Sequence, residues 1–222
     1  MKGFSTALLI ASAITLGEAQ LPNDVPPIKN ESLRQELLAM EKADQAARAA
    51  MLAELGRKGI SIHSGKPITD PAALQVIATE SAKLSKLDEA HRTRLKAIVK
   101  EFGWPGKSLV GADGAHAAWL LLQHADADRA FQTDCLRLME AAPAGEVEGK
   151  HIAYLTDRVL IGAGKPQKYG TQLGADFKPL PILDKGEVDA RRAKLGLPPL
   201  AEYIKTAKAE YEKLSQSMHE NK

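Results

Sequence analysis

The chain has 222 residues, with 30 lysines and arginines against 28 aspartates and glutamates, which gives a net charge of +2 with histidine neutral. The bases are scattered among acids, and this distribution excludes the basic stripe with interleaved aromatics that is typical of nucleic-acid binding. Because Cys135 is the only cysteine, an internal disulfide is excluded, and its place on an apolar helical face predicts an inert core thiol.

The first nineteen residues have the pattern of a secretory signal peptide. Lys2 precedes an apolar run over 4–16, and small residues stand at 17 and 19, before a cleavage point after Ala19. The run is too short to span a membrane, and its lack of a polar face argues against the alternative of a buried N-terminal helix. We therefore expect an exported protein, periplasmic or extracellular, whose mature chain has no membrane span. The predicted division is 1–19 signal peptide, 20–30 extended arm, 31–217 single helical domain and 218–222 tail.

Helix signals dominate the rest of the chain. Residues that cap helix N-termini precede several apolar-periodic segments, and glycines follow them. Length and apolar spacing favour a helix over a strand for 151–162. The predicted helices are 31–55 after Asn30, one from Asp70 toward Leu84, another capped by Asp88 and ending at Phe102, a nearly all-apolar one from Asp113 or Gly114, 128–141, 151–162, 187–195 and 199–217.

The segment 167–182 differs from the rest. Two short runs flank Gly174 and Ala175, a pattern that predicts a β-hairpin. The expected fold class is therefore mainly α, a single-domain helical bundle with a small hairpin near 167–182.

Polar residues that interrupt apolar helix faces mark the candidate site, since a charge on such a face must be paired, hydrated or used. Asp44 falls in the middle of the apolar stripe of the first helix, and Arg48 follows one turn later and borders the same stripe. The two side chains either form a buried ion pair that fixes the helix register or line a cleft between helices. Buried pairs contribute little net stability, so both interpretations stay open.

A second polar group, from Gln123 to Asp126, ends the apolar central helix. His124 shares a face with leucines and is either a satisfied core histidine or a general acid or base. Asp126 could orient it, although either Asp126 or Asp128 is expected to cap the next helix. A metal site of His116, His124, Asp126 and His151 is not favoured, since only a helix break would direct His124 and Asp126 to one ion.

Further candidates follow in the C-terminal third. Asp157 and Arg158 are neighbours on a helix and should have different partners, while Arg191 and Arg192 flank an apolar stripe and could bind a carboxylate or phosphate. The turn 165–172 carries amides, a phenol and a hydroxyl that could orient a polar ligand or satisfy buried helix ends. Its candidate side chains are Gln167, Tyr169, Thr171 and Gln172.

Taken in order, these motifs resemble a bacterial family catalogued as a domain of unknown function, over about residues 31–205. The resemblance implies one domain in which the polar residues belong together, and it implies no activity, substrate or cofactor. The motifs that carry it are Asp44-Gln45-Ala46-Ala47-Arg48, Phe102-Gly103-Trp104-Pro105, Gln123-His124-Ala125-Asp126, Asp157-Arg158, Gln167 with Tyr169-Gly170-Thr171-Gln172, Arg191-Arg192 and Gly196-Leu197-Pro198-Pro199-Leu200.

Three functions remain open at this stage. The first is binding of a small polar or anionic ligand, and the second is a hydrolase or lyase with His124 as general acid or base. The third is a structural envelope protein whose ion pairs brace helices. The sequence names no cofactor, metal set or oligomeric state. Candidate catalytic residues are His124, Asp126 and Asp157, and candidate ligand-binding residues are Asp44, Arg48, Gln123, Arg158, Gln167, Tyr169, Thr171, Gln172 and Arg191.

Overall fold

A computed structural model describes residues 27–62 and 67–220, with side chains up to residue 213. The predicted signal peptide at 1–19 and the first part of the predicted arm lie outside the described residues. In the described part the chain is mainly α-helical and contains no extended strand. Its helices are α1 (Glu31–Arg57), α2 (Pro71–Phe102), α3 (Lys107–Gln123), α4 (Arg129–Glu140), α5 (Gly149–Gly162), α6 (Val188–Ala193) after a short 3-10 turn (Lys185–Glu187), and α7 (Leu200–Glu220).

The predicted N-caps of three helices are confirmed. Asn30 accepts a hydrogen bond from the backbone N–H of Leu33, and Asp70 and Asp128 cap α2 and α4 in the same way. The prediction that Asp88 starts a separate helix is wrong, because α2 runs through it for 32 residues. Residues 85–88 contain neither glycine nor proline, so nothing stops the helix there, and the Asp88 side chain is free for another use.

Helix α3 is the central element of the core and begins earlier than predicted. Its first turn, 107–110, is separated from the rest by a kink at Gly111, whose φ of 75° lies outside the helical region. Almost every side chain from Ala115 to Gln123 is buried, apart from the half-buried His116. Helix α3 packs mainly against α1, while α2 contacts both of them and α5 contacts α3 and α4. This packing brings the middle of α1, the middle of α2 and the C-terminal end of α3 together.

The predicted β-hairpin at 167–182 is wrong. The segment is an irregular loop with two isolated bridges, a parallel one between Gln167 and Ile182 and an antiparallel one between Leu173 and Pro179. Prolines at 179 and 181 have no N–H to donate to a ladder, and buried side chains accept the N–H groups of residues 168, 169, 171 and 172. The first half of this segment is therefore held largely by side chains, and a few separate backbone hydrogen bonds, such as Gln167 N–H to the Pro181 carbonyl, join it to the second half without forming a ladder.

The final helix α7 continues to Glu220, into the stretch predicted as a tail. Over the residues that can be placed, no helix combines the length and apolarity needed to cross a bilayer. Cys135 is fully buried and unpaired, as expected of a core thiol, and burial raises the pKa of its thiol to about 12.

Candidate functional site

The site is organised by a contact between α1 and the end of α3. Helix α3 stops at Gln123, so His124 belongs to the turn that follows, and its ring reaches the Asp44 carboxylate on α1. His124 Nδ1 lies 2.9 Å from Asp44 Oδ1, and Asp44 is fully buried. A carboxylate so placed selects the ring orientation of a histidine and the nitrogen that carries its proton.

Arg48 and Asp88 complete what we call the polar cluster, defined as Asp44, Arg48, Asp88 and His124. Arg48 Nη2 donates to Asp44 Oδ1 at 3.1 Å and to Asp88 Oδ1 at 2.6 Å. The guanidinium therefore bridges a carboxylate on α1 and one on α2. The predicted pairing of Asp44 with Arg48 is observed, while Asp88 as a partner follows only from the three-dimensional contact.

Burial and the neighbouring charges of the polar cluster shift the pKa values of Asp44 and His124. Burial on its own would raise the pKa of Asp44, but the hydrogen bond with His124 and the guanidinium of Arg48 bring that pKa down to about 2. Burial lowers the pKa of His124, and the hydrogen bond to Asp44 opposes this only in part. These shifts favour an ionised Asp44 beside a neutral His124. Arg48 Nε also lies 3.1 Å from His124 Nδ1, but a carboxylate can only accept, so the 2.9 Å contact with Asp44 favours the tautomer with the proton on Nδ1 and the lone pair on Nε2.

Nε2, the second ring nitrogen of His124, has no hydrogen-bond partner among the residues that the structure describes. Nε2 of His124 is buried and makes no hydrogen bond with any described residue, and both side-chain polar atoms of the adjacent Gln123 are in the same condition. Buried polar atoms are nearly always hydrogen-bonded in folded proteins, so each exception calls for a bound partner or a chemical use. These orphaned groups belong to two consecutive residues at the end of α3.

Arg158, on α5, connects the end of α3 to the loop before α6 through hydrogen bonds. Its Nε donates to the Gln123 carbonyl at 2.6 Å and lies 3.1 Å from Asp126 Oδ1, and its Nη1 donates to Gln172 Oε1 at 3.2 Å. Asp126 also accepts from Gln132, and it is half exposed. Although the chain does break after Gln123, Asp126 pairs with Arg158 and Gln132 instead of facing His124.

Asp157 organises the loop that contains the predicted turn. Its carboxylate accepts hydrogen bonds from the backbone N–H groups of Lys168, Tyr169 and Thr171, at 2.7 to 3.0 Å, and from the Thr171 hydroxyl at 3.0 Å. Burial raises its pKa, while these donors act in the opposite direction. Asp157 and Arg158 have different partners, as predicted. The carboxylate oxygens of Asp157 accept hydrogen bonds from donors of the loop.

The remaining polar side chains of this loop also bond to its backbone. Gln167 Nε2 donates to the carbonyls of Gln172 and Leu180, both at 2.9 Å, and its Oε1 accepts from the N–H of Gln172 at 2.8 Å. Thr171 and Gln172 are buried beside it, and Tyr169 is half-buried. These contacts close the loop on itself and connect it to α5.

Two arginines of α6 hold the loop from the other side. Arg191 donates to the carbonyls of Lys168, Leu183 and Asp184, which places it against the loop and away from the polar cluster. Arg192 is fully buried, donates to the Tyr169 carbonyl at 2.6 Å and lies over the ring of Tyr203. The predicted site residues thus fall into two groups, one at the polar cluster and one in the loop, with Arg158 between them.

The polar cluster also contains a possible set of metal ligands. Asp44, Asp88 and His124 each offer one ligand atom, and the three atoms lie within 4.8 Å of one another. Arg48 Nη2 already contacts both carboxylates, so its positive charge stands where a cation would be held. In this arrangement the guanidinium of Arg48 compensates the negative charges of Asp44 and Asp88, as a bound metal ion would.

The match to a family model agrees with the family resemblance that the motifs indicated. Residues 31–214 match the family of unknown function DUF6624, and this range contains every residue of the site. The chain belongs to the DUF6624 family. No curated protein and no solved structure matches it.

The sequence analysis missed two site residues of this DUF6624 protein. Asp88 resembled a helix cap, and only the unbroken course of α2 turns it toward Arg48. His91 follows one turn later on α2; it is buried, its Nδ1 has no partner among the described residues, and burial lowers its pKa. The absence of a glycine or proline before Asp88 was the signal that could have identified both residues as lying on one face of a long helix.

Proposed function

We propose that this DUF6624 protein binds a small polar or anionic ligand at the polar cluster. The observation that supports the proposal is the buried, unpartnered Nε2 of His124, whose ring is oriented by Asp44. A neutral imidazole with its lone pair on Nε2 accepts a hydrogen bond from a hydroxyl or amide of a ligand. Leaving such an acceptor unpaired costs roughly 1–3 kcal/mol, which a ligand would recover.

Two arginines supply the complementary donors. The contacts described above use Nε and Nη2 of Arg48 and Nε and Nη1 of Arg158, and the positive charges of both arginines lower the pKa of His124. Guanidinium groups favour carboxylate and phosphate oxygens. The ligand that fits this set carries an anionic oxygen group and, next to it, a hydroxyl or amide that donates to Nε2.

A specific observation favours acid–base catalysis as the second candidate. The Asp44–His124 pair has the arrangement of a general base, since the carboxylate holds Nδ1–H and leaves Nε2 free to take a proton. Arg48 and Arg158 would stabilise negative charge that develops on a substrate. The corresponding reaction class is a hydrolase or lyase that acts on the same polar or anionic ligand.

A thermal-shift screen of the protein from Gln20 onward tests ligand binding, with sugars, peptidoglycan fragments, amino acids and phosphate esters as probes. A ligand at a hundred times its Kd stabilises a fold by about 2.7 kcal/mol. We expect a hit whose shift is lost in His124→Gln and Arg48→Ala. Assays of that ligand for turnover, lost in His124→Gln, then separate the enzyme from the binding protein.

Arg94→Ala is the matched control, because Arg94 pairs with Glu36 on the surface of the same helix pair and should not affect the shift. A hit that His124→Gln leaves unchanged would place binding elsewhere. A flat screen together with strong destabilisation by both site variants would support the alternative of ion pairs that only brace helices.

The export of the protein is a separate proposal, supported by Lys2, the apolar run over 4–16 and the small residues before Gln20. Expression of the full chain in a bacterium, followed by fractionation and intact-mass measurement, tests it. We expect a protein in the periplasm or medium that begins at Gln20. Recovery of the unprocessed chain in the cytoplasm would contradict export.

A further inference from the structure

A second cluster of titratable side chains lies on the other part of α3, apart from the polar cluster. His116 on α3 faces His151 at the start of α5, with His116 Nδ1 3.2 Å from His151 Nε2. Glu41 on α1 lies 3.6 Å from the other ring nitrogen of His116. Neither histidine has a part in the proposed ligand site.

The ring of His151 is rigidly held. It stacks on Trp119, with centroids 4.2 Å apart and planes inclined by 14°, and Trp119 Nε1 donates to the His151 backbone carbonyl at 3.1 Å. His151 is buried, whereas the His116 side chain is 39% exposed. The ring of His151 is therefore fixed by packing, while the side chain of His116 is partly open to solvent.

We propose that His116 and His151 form a binding site for a divalent late transition-metal ion such as Cu²⁺ or Zn²⁺. With metal–nitrogen bonds of about 2.0–2.1 Å, two ligand nitrogens are separated by about 3.3 Å in the tetrahedral geometry of zinc and by about 2.9 Å in the tetragonal geometry of Cu²⁺. The 3.2 Å between Nδ1 of His116 and Nε2 of His151, at which the two rings can also share an N–H···N hydrogen bond, lies between these two values. Imidazole suits copper and zinc, and the exposed side of His116 leaves the remaining positions to water.

The surroundings favour the lone pairs that a metal needs. Burial lowers the pKa of both histidines, and the charge of Lys150 lowers both further, while Glu148 acts in the opposite direction. Both rings are thus neutral near pH 7. The Glu41 carboxyl lies 3.6 Å from Nε2 of His116, beyond hydrogen-bond distance, and so faces the ring nitrogen that is not directed at His151. Such a carboxylate behind a histidine ligand is the usual outer partner in metal sites.

Trp119 provides the readout, since bound Cu²⁺ quenches the fluorescence of an indole stacked on its ligand. In a Trp104→Phe background, Trp119 is the remaining tryptophan of the chain. We expect CuCl₂ to quench it saturably at one equivalent, and ZnCl₂ to compete and restore the emission. His116→Asn should weaken the Cu²⁺ affinity by about tenfold or more.

His91→Asn and His124→Gln are the controls, and both should retain the quenching, which separates this site from the set formed by Asp44, Asp88 and His124. Unchanged quenching in His116→Asn, or its loss in His124→Gln, would overturn the proposal. If His116→Asn proves unstable, electron paramagnetic resonance of the copper-loaded parent decides. Coupling to two imidazole nitrogens, lost in His151→Asn but kept in His124→Gln, supports the site, and its absence contradicts it.

Discussion

Nδ1 of His124 lies 2.9 Å from Oδ1 of Asp44, although 80 positions separate the two residues along the chain. The contact joins the middle of α1 to the turn that ends α3, and Arg48 extends it to Asp88 on α2. Three helices therefore meet through charged groups inside an otherwise apolar core. The predictions below follow from the protonation and partners of these groups.

Replacement of Asp44 by asparagine should cost at most about 3–5 kcal/mol in the free energy of unfolding, because it removes the fully buried carboxylate that pairs with Arg48 and His124, while Arg48 keeps its pair with Asp88. Urea denaturation measures this loss. Glu36→Gln removes the surface partner of Arg94 and should cost no more than about 1 kcal/mol. Equal effects of the two substitutions would show that the polar cluster is solvated.

Asp88 should make stability depend on pH in a defined window. Burial and the charges of Asp44 and Asp126 outweigh Arg48 and raise the pKa of Asp88 to about 6, from an unfolded value near 3.9. The folded state thus binds the proton more tightly, so this contribution is fully present below about pH 4 and is lost as the pH rises through 6.

The comparison of wild type with Asp88→Asn isolates this effect. Relative to the variant, the wild-type free energy of unfolding should fall by on the order of 2 kcal/mol between pH 4 and 7, after allowance for solvent screening. Urea titrations at both pH values measure the difference. A difference that is constant, or that increases with pH, would mean that Arg48 dominates the titration of Asp88.

Asp157→Asn should loosen the loop at 164–184. An asparagine offers one acceptor oxygen and an NH₂ group that opposes the N–H donors of the loop, whereas the aspartate accepts from three backbone groups and one hydroxyl. We expect faster hydrogen exchange at the amides of Lys168, Tyr169 and Thr171. Asp176→Asn, at an exposed carboxylate nearby, should leave those amides protected.

The thiol of Cys135 should react only after unfolding. It is fully buried and burial raises its pKa to about 12, so little thiolate exists in the native state. The rate of labelling by an aromatic disulfide reagent in increasing urea should therefore follow the unfolding equilibrium. Fast labelling in native buffer would contradict the burial of this residue.

Local signals along the chain were sufficient to predict most of the helices and several of their caps, but not the unbroken course of α2. Asn30, Asp70 and Asp128 act at short range on the N–H groups that directly follow them, so their role is visible in a few residues of sequence. The choice of helix over strand for α5 is confirmed for the same reason, since its apolar spacing is a local property.

The predictions of a hairpin at 167–182 and of a helix start at Asp88 were wrong because both depend on long-range contacts that no local sequence pattern records. The 165–182 segment has turn residues typical of a hairpin, but four N–H groups in its first half donate to Asp157 or Gln167, and residue 157 lies outside the pattern. Asp88 has the composition of a cap, and its partner Arg48 is 40 residues away. Asp44 and Arg48 were recognised because they are one turn apart and interrupt an apolar stripe.

The tautomer of His124 tests the central claim most directly. Long-range proton–nitrogen NMR correlation of the imidazole rings, assigned with His124→Gln, reports which nitrogen carries the proton at pH 7. We predict a neutral ring with the proton on Nδ1 and an unprotonated Nε2, whose signal shifts when a ligand from the thermal-shift screen is added. A proton on Nε2, or an imidazolium at pH 7, would contradict the site as we describe it.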